Sequence, residues 1–503
     1  DIIHTLIHIR EDRVLGPSTQ AIFDEAVRRR IPCKRLDEHN LLQLGSGKYL
    51  KRTRATISSD TNHIAIETAD NKYLANLMLS EAGLPVPQTK IIESFEQAVE
   101  FMEKVHKSIV IKPVYGSSGE GITLSITNQL SVPSAIDWAS SFSNDILAQE
   151  FIEGSTYRLL IIDYEFVAAV KMVPVILVGD GKKTISELIT EINSNPKRQF
   201  GDKSRLSIIE IDDITEHLLK MNGFSTDSIL KENQEFAIKI SGSLKNGGSA
   251  IDITDQVHEF NRFSAERAAK IIGLNVAGID IICNSIRESI ADTKGCIVEV
   301  NAAPDFRMHL KPTHGIDRNV AKPFVNMLFP DDTKRRIPIF AITGSKGKTS
   351  TVNLLAYLLE LNSLNTGKVT DSGFFIKNQK LSNGKIPNTY ATNMILKDPT
   401  LDAAVIEVTL EGIIEGGLGY DFADFGIVLN VNDIYNLCKL TTYLHDLEDV
   451  AYAKSVVAEQ VYDEGFTILN ADDNLVIQMR KRLYSNLILI SADKNNSKLK
   501  AYK

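Results

Sequence analysis

IFAITGSKGKTSTVNLLAYLLELN, Ile339 to Asn362, passes from an apolar β-type run through a loop of glycine, serine and lysine into a segment with Leu354, Leu355, Leu358 and Leu359 at helical spacing. Strand, glycine loop and helix N-terminus in succession make an anion site, because the N–H groups of the first helical turn have no intrahelical partner. Gly344, Ser345, Lys346, Gly347, Lys348, Thr349 and Ser350 line the predicted site. Lys348 would set a point charge against the β/γ-phosphates of ATP, and Thr349 a hydroxyl on Mg²⁺. The spacing departs from the usual phosphate loop: Ile342 stands where the first glycine belongs, and the loop is shorter. A chance glycine loop is the alternative, and it has no reason to fall between a strand and a helix.

Around this stretch the composition is that of a globular protein, with 43% apolar and 24% charged residues. A chain of 503 residues is too long for one core, so about three domains are expected. No apolar run approaches the ~18 residues that span a bilayer, and no signal peptide is visible in a sequence that opens at Asp1. The net charge of −8, without a basic block, argues against nucleic acid as main partner and suits a cationic or zwitterionic substrate better. Cys33, Cys283, Cys296 and Cys438 lack metal-ligand spacing and are too sparse for a disulfide scaffold, which points to a reducing cytoplasm.

Helices are predicted in STQAIFDEAVRRR, in DNKYLANLMLSEAG, which Gly83 and Pro85 close, and in SAERAAKIIGLN. Strands are predicted in SIVIKPV, ILAQEFI, VAGIDIICN and GCIVEVNAA, and in the pair YRLLIID and FVAAVKMV around a turn at Tyr164-Glu165. A polar stretch near 192–234 reads as part of an insertion of about 185–240. LFPDDTKRRIP marks a domain boundary, giving domains of 1–330 and 331–503. Beyond it, strands AAVIEV, FGIVLNV and FTILNA alternate with helices, the pattern of a mostly parallel α/β sheet.

If VAGIDIICN and GCIVEVNAA form a hairpin, a symmetric register sets Asp280 opposite Glu299, with Asn301 on the same face. Two carboxylates and an amide oxygen suit a hard cation carrying phosphates. An ordinary solvated strand face is the alternative, but these strands are too apolar for that. The same register sets Cys283 opposite Cys296 on the other face, as reduced, buried residues. Lys72 and Lys112 are candidates for ATP phosphates, and GSSGEG after Lys112 is a loop that could close over them. A surface charge is the usual reading of either lysine alone. Arg158, inside a strand, is either a ligand or a salt-bridged structural residue.

These residues, in this order, resemble the cyanophycin synthetases. Residues 40–330 are similar to that family's ATP-grasp ligase domain through LLQLGSGKYLKRTRATIS, NKYLANLMLSEAGLPVP, VIKPVYGSSGEGI, VGDGKKTISELI, NGGSAIDITDQVH and VEVNAAPDFRMHLKP. Residues 337–475 resemble its Mur-ligase-like half, with GSKGKTS as the phosphate loop. The resemblance implies a multidomain α/β protein, an ATP-grasp (α+β) domain followed by a Mur-ligase-like phosphate-loop domain. It implies an ATP- and Mg²⁺-dependent ligase that extends a polyaspartate primer and attaches a second amino acid, arginine or another, to each β-carboxylate through acyl phosphates. It further implies a cytoplasmic homo-oligomer, dimer or tetramer, with an N-terminal domain and a C-terminal lobe outside this sequence.

By resemblance, Lys72 and Lys112 are nucleotide lysines, Gln149 and Glu150 read adenine and ribose, and Asp280, Glu299 and Asn301 hold metal. Arg158 lies near the acyl phosphate, with Arg307 and His309 where the polymer end approaches. In the second half Lys348 and Thr349 meet phosphate and Mg²⁺, Glu407 is a further metal ligand, and Asn470 faces adenine. Lys454 is either a lysine of the kind Mur ligases carbamylate or a plain helix-surface residue. The chain departs from the family at Ser118 and Glu120 in the lid, and at Leu410 and Tyr435 in place of an arginine and a histidine. These changes mark a divergent member, in which Glu411, Glu415 and Asp433 are candidates for recognising a basic amino acid. They also leave open a one-site enzyme whose Mur-like half is architectural, and a nucleotide-binding scaffold without activity.

Overall fold

A computed structural model describes residues 14–116, 119–199, 206–240, 242–382, 388–432 and 444–502. Two units emerge. The first holds Thr53–Asp331, Arg35–Leu42 and the stretch ending at Glu25; the second holds Asp332–Lys503 with Ala26–Lys34 and Gln43–Arg52. The two short stretches lie far before the boundary expected near 331. Long-range pairs tie them to the second unit: Lys48 Nζ meets Asp402 Oδ1 at 2.6 Å, and Gln43 Nε2 donates to the Leu396 carbonyl at 3.0 Å. Pairs so distant in sequence leave no local pattern to read.

In the first unit, helix α1 (Lys72–Glu81) starts where the Asn71 side chain accepts from Leu74 N and stops before Gly83, whose φ of +76° suits a residue without Cβ. Strands β1 (Thr89–Ile92), β2 (Ile109–Pro113), β3 (Thr123–Ile126) and β4 (Ile146–Glu150) form an antiparallel sheet of order β1-β4-β2-β3. β2 is buried throughout its length, which places Lys112 in an apolar setting.

Strands β5 (Ser155–Ile162), β6 (Glu165–Val173), β7 (Ser249–Asp252), β8 (Val276–Cys283) and β9 (Cys296–Asn301) make a second antiparallel sheet, of order β7-β6-β5-β8-β9. The β5–β6 turn falls at Asp163-Tyr164, one residue before the expected place. Both residues have positive φ, +54° and +63°, the twist that a two-residue hairpin needs. Between β6 and β7, helices α2 (Ile185–Asn193) and α3 (Asp213–Met221) pack a small separate core with Leu177, Ile209 and Leu230, as an insertion would. Helix α4 (Glu259–Ile272) covers the β5–β9 sheet and ends at Gly273.

β8 and β9 pair with Asp280 opposite Glu299 and Gly278 opposite Asn301, the expected register. A bulge after Asp280 then leaves Val298 unpaired, so Ile282 rather than Cys283 faces Cys296. The expected cysteine register is therefore not formed. Both thiols are free and buried, and burial pushes each up to about 11.

The second unit is an eight-stranded sheet. Its strands are β10 (Ile339–Thr343), β11 (Thr366–Thr370), β12 (Gly373–Ile376), β13 (Gln379–Lys380), β14 (Ala403–Glu407), β15 (Ala423–Val428), β16 (Val461–Asn470) and β17 (Asn486–Ile490), in the order β13-β12-β11-β14-β10-β15-β16-β17. β11, β14, β10, β15, β16 and β17 are parallel; the β12 and β13 pairings are antiparallel. Helices α6 (Lys348–Leu361), α7 (Leu410–Gly416) and α8 (Leu447–Glu459) follow strands, as the alternating pattern predicts; α5 (Arg307–Leu310) is a short helix of the first unit. On α6, Leu355 and Leu359 pack inward with Val352 and Ala356, whereas Leu354 and Leu358 are exposed. Among the described residues no helix is long and apolar enough to cross a membrane.

Candidate active sites

The first cluster gathers on β2, β4, β5, β8 and β9. Lys112 Nζ donates to Gln149 Oε1 at 2.9 Å, and Gln149 Nε2 to Thr89 Oγ1 at 3.2 Å. Glu150, one residue on, is paired by Lys107. Lys72, the first residue of α1, donates to the Gly116 carbonyl and lies 3.8 Å from Glu299 Oε1. Lys112 is 7% exposed; burial pushes its ammonium down to about 8, opposed by Glu299 and reinforced by Lys72. The ammonium is thus charged below about pH 8 and neutral above it.

If Lys112 binds phosphate, only its protonated form attracts the anion. Affinity for a non-hydrolysable ATP analogue, measured with the second unit disabled by Lys348→Ala, should then fall as pH rises above 8, by up to about tenfold per unit. Bound phosphate raises the ammonium pKa and moves the end of this fall to higher pH. Lys112→Arg, which stays charged, should flatten the profile.

Arg158 faces Asp280 across β5 and β8 and grips it with two hydrogen bonds of 2.6 Å, Nε to Oδ1 and Nη2 to Oδ2. Of the two sequence readings of Arg158, the structure displays the ion pair. Burial opposes the guanidinium charge, but Asp280, Glu299 and Asp305 hold it protonated above its usual range. Asn301 Nδ2 donates to the Gly278 carbonyl at 3.2 Å, and its side chain also bonds Asp280. Glu299 is the carboxylate of the trio not claimed by a guanidinium. A cation here fits Glu299 and Asn301, with Asp280 joining through the lone pairs that Arg158 leaves.

Arg307 and His309, both on α5, are buried. Arg307 Nη2 donates to Ser207 Oγ at 2.8 Å. Neither nitrogen of the His309 ring has a hydrogen-bond partner. Burial, then the Arg158 charge, push this imidazole down to about 3, so it is neutral at ordinary pH.

The second cluster lies at the carboxyl ends of β10, β11, β14, β15 and β16, the edge where open α/β sheets take ligands. Gly347, at φ +86°, is the N-cap of α6, and Lys348 and Thr349 open the helix. Thr349 Oγ1 donates to Glu407 Oε2 at 2.8 Å, and Lys348 Nζ lies 3.7 Å from Glu407 Oε1. Glu407 is wholly buried, and its Oε1 has no hydrogen bond. Burial raises its carboxyl above the usual range, Thr349 opposes this, and Asp371 adds to it. A buried oxygen without a hydrogen bond, beside a hydroxyl and a lysine, fits a cation that carries phosphate. Among the described residues no group of three or more His, Cys, Asp and Glu could hold a metal, so any cation at either cluster must lean on hydroxyl, amide and ligand oxygens.

Lys454 is buried on α8 and donates to the Gly344 carbonyl at 2.9 Å, which excludes the reading as a plain surface lysine. Asn470 Nδ2 donates to the Leu429 carbonyl at 2.9 Å. Leu410 packs against an apolar cluster of Val450, Val476 and neighbouring side chains. Ser118, Asp433 and Tyr435 lie outside the described residues.

The sequence reading missed two residues here. Asp371 places its N–H 3.4 Å from Glu407 Oε2. Asn430 braces the glycine loop: its Oδ1 accepts from Ser345 N and Lys346 N at 2.9 Å, and its Nδ2 donates to the Lys346 carbonyl at 3.0 Å. Its one signal was position, an asparagine near the end of the predicted strand FGIVLNV, which in the structure stops at Val428. Asn430→Ala removes three loop bonds of ~1 kcal/mol at most each, partly replaced by water. The expected result is a nucleotide dissociation constant raised about fivefold to tenfold, read by titration, with little change in melting temperature.

Residues 342–503 match the Mur ligase middle domain, and residues 69–175 the RimK-like ATP-grasp domain. The cyanophycin synthetase of Geminocystis herdmanii is 38% identical over 492 residues, 97% of this chain and 56% of that protein. That of Crocosphaera subtropica is 40% identical over 486 residues, 96% of this chain and 55% of that protein. The chain thus spans about half the length of the curated relatives it matches. A bifunctional glutathione synthetase structure from Pasteurella multocida shares 27% identity over 64% of this chain and 44% of that one, with a TM-score of 0.46.

Proposed function

From the premise that this chain joins a RimK-like ATP-grasp domain to a Mur ligase middle domain and is related to cyanophycin synthetases along nearly its whole length, we propose that it is an ATP-dependent carboxylate–amine ligase that builds a cyanophycin-like polymer. The observation that carries this reading is that each unit has its own cluster of lysine, carboxylate and polar oxygen donors suited to a metal-bound nucleotide.

In the first unit, Lys72 and Lys112 take the ATP phosphates, and Gln149 and Glu150 the adenine and ribose. Glu299, Asn301 and Asp280 would hold a divalent cation, which when bound would supply positive charge against the transferring phosphoryl group. A carboxylate oxygen at the polymer end attacks the γ-phosphorus, ADP leaves, and an acyl phosphate results. The amine of aspartate attacks the acyl carbon, loses a proton, and phosphate departs. Arg158 faces the developing charge, with Arg307 and His309 nearby. In the second unit, Lys348, Thr349, Glu407 and the loop from Gly344 to Ser350 activate the β-carboxylate in the same way, with Asn470 near adenine. A second amino acid then adds.

Leu410 favours a second reading. Its place in the family holds an arginine, and here it fills an apolar cluster, so the Mur-like unit of a one-site enzyme would be architectural. The test is ADP release by the full-length protein with an oligo-aspartate primer, each of the twenty amino acids being added in turn. Release that requires aspartate and a second amino acid supports two sites, and aspartate alone supports one. Release indifferent to amino acids sinks the ligase reading.

A further inference from the structure

Resting on the reading of Lys112 as a phosphate lysine, we propose that His217 and Trp138 are positioning residues. Through them the insertion between β6 and β7 holds the base of the glycine loop that follows Lys112, and so sets how long the first unit keeps its nucleotide.

The His217 ring, on α3 of the insertion, lies face to face with the Trp138 indole, with 4.1 Å between centroids and 9° between planes. Ser134 Oγ touches Met221 Sδ at 3.8 Å, a second contact between the same two helices. Trp138 belongs to the helix Val132–Ser140, whose Val132, Ala135 and Ala139 share an apolar cluster with Ile109 and Ile111 of β2, the strand of Lys112. The indole also meets the Phe142 ring edge-on, at 4.9 Å and 81°. Phe142 in turn fills the space beside Gly121: a Cβ on that glycine would stand 3.0 Å from Phe142 Cδ2 and 2.9 Å from Pro113 Cδ. Gly121, at φ +66°, ends the loop, and Pro113 directly follows Lys112. A line of three rings thus runs from the insertion to the point where the two ends of the loop meet.

The insertion can serve as a fixed point because α3 is itself anchored. Asp212, its N-cap, accepts from Thr215 N at 2.9 Å and from the buried Lys239 Nζ at 2.6 Å, and Leu219 belongs to the insertion's own core. The joint with Trp138 is of another kind. Trp138 Nε1 and His217 Nε2 are buried without a hydrogen-bond partner, so the two rings adhere by their faces. An unpaired buried polar atom costs stability, and parting the rings lets water reach both nitrogens. Such a stack biases an equilibrium by about twofold to tenfold, enough to tune a loop and too little to decide the fold.

The test uses the full chain carrying Lys348→Ala, so that the first unit alone takes nucleotide, and adds His217→Ala or His217→Phe. Trp138 is the only tryptophan of the chain and reports the joint directly. Its emission should move to the red in the alanine variant, as water reaches the indole, and return with phenylalanine. Hydrogen exchange without nucleotide should quicken about twofold to tenfold at residues 119–126 in the alanine variant. Phenylalanine, which keeps a ring face, should restore slow exchange. Release of a non-hydrolysable ATP analogue should quicken by a similar factor in the alanine variant alone, with the melting temperature unchanged. Unaltered exchange at the loop despite a red-shifted emission overturns the proposal, and so does an unaltered release rate. Faster exchange spread evenly over the first unit, with a lower melting temperature, also overturns it, since that is what a merely structural contact gives. Should the loop respond as stated while even the His217 parent binds no analogue, the phosphate reading of Lys112 fails and the insertion's hold on the loop stands.

Discussion

Lys348→Ala is expected to lower ATP turnover by the second unit by about 100-fold or more, with the aspartate-dependent turnover of the first unit intact. Lys348 supplies the positive point charge of the loop, and Glu407, wholly buried, lies 3.7 Å away with an oxygen free of hydrogen bonds. Removing one preorganised charge donor from a water-poor site costs on the order of 10²–10³ in rate. The loss also takes from Glu407 the Lys348 charge that favours its ionised form, which deepens the defect. Lys348→Arg should not rescue, because a planar fork does not replace a compact ammonium at a phosphate. The measurement is ADP release with the second amino acid present and absent. If the lysine-free variant keeps full release in both cases, the second unit does not turn over ATP, and the one-site reading stands.

Asp280→Ala is the second large effect, and here the loss is of stability. The Arg158–Asp280 pair bridges the centre of the β5–β9 sheet with side chains 15% and 7% exposed. Without its carboxylate the guanidinium is a buried charge lacking its bidentate partner, a change that costs about 3–5 kcal/mol in such pairs. Thermal unfolding should show the first unit melting well below wild type. The double replacement Arg158→Met with Asp280→Leu should recover most of that loss, since apolar side chains of similar volume can replace a buried pair. Activity should not return. Recovery of both would mean that the pair is architectural.

Much of the local architecture was legible because it rests on local signals. Apolar periodicity located β10 and α6, Gly83 marked a helix end, and a symmetric hairpin register set Asp280 against Glu299, whereas the helix expected through Gly273 to Asn275 stops at Ile272. What eluded the sequence lies in pairings that no spacing encodes. Arg158 could be ligand or strut until its partner across β8 was known. Lys454 could be a surface residue until α8 turned it toward Gly344. Asn430 and Asp371 reach their sites only because the strand order of the second sheet brings β15 and β11 beside the glycine loop and Glu407. The Cys283–Cys296 register failed for a related reason: a bulge depends on how two strands twist together, and a symmetric count cannot see one extra residue.

That bulge has a bearing on how the chain tolerates change. It lies between the acidic pair and the loop of residues 284–295, so the strands on its two sides keep separate counts. A residue gained or lost in the loop is absorbed before it reaches Asp280 and Glu299. The exposed tip at residues 291–294, beyond the buried Ile286 and Ile290, is accordingly the place where a peptide tag or a dye-bearing insert is expected to be grafted without sliding the carboxylates apart.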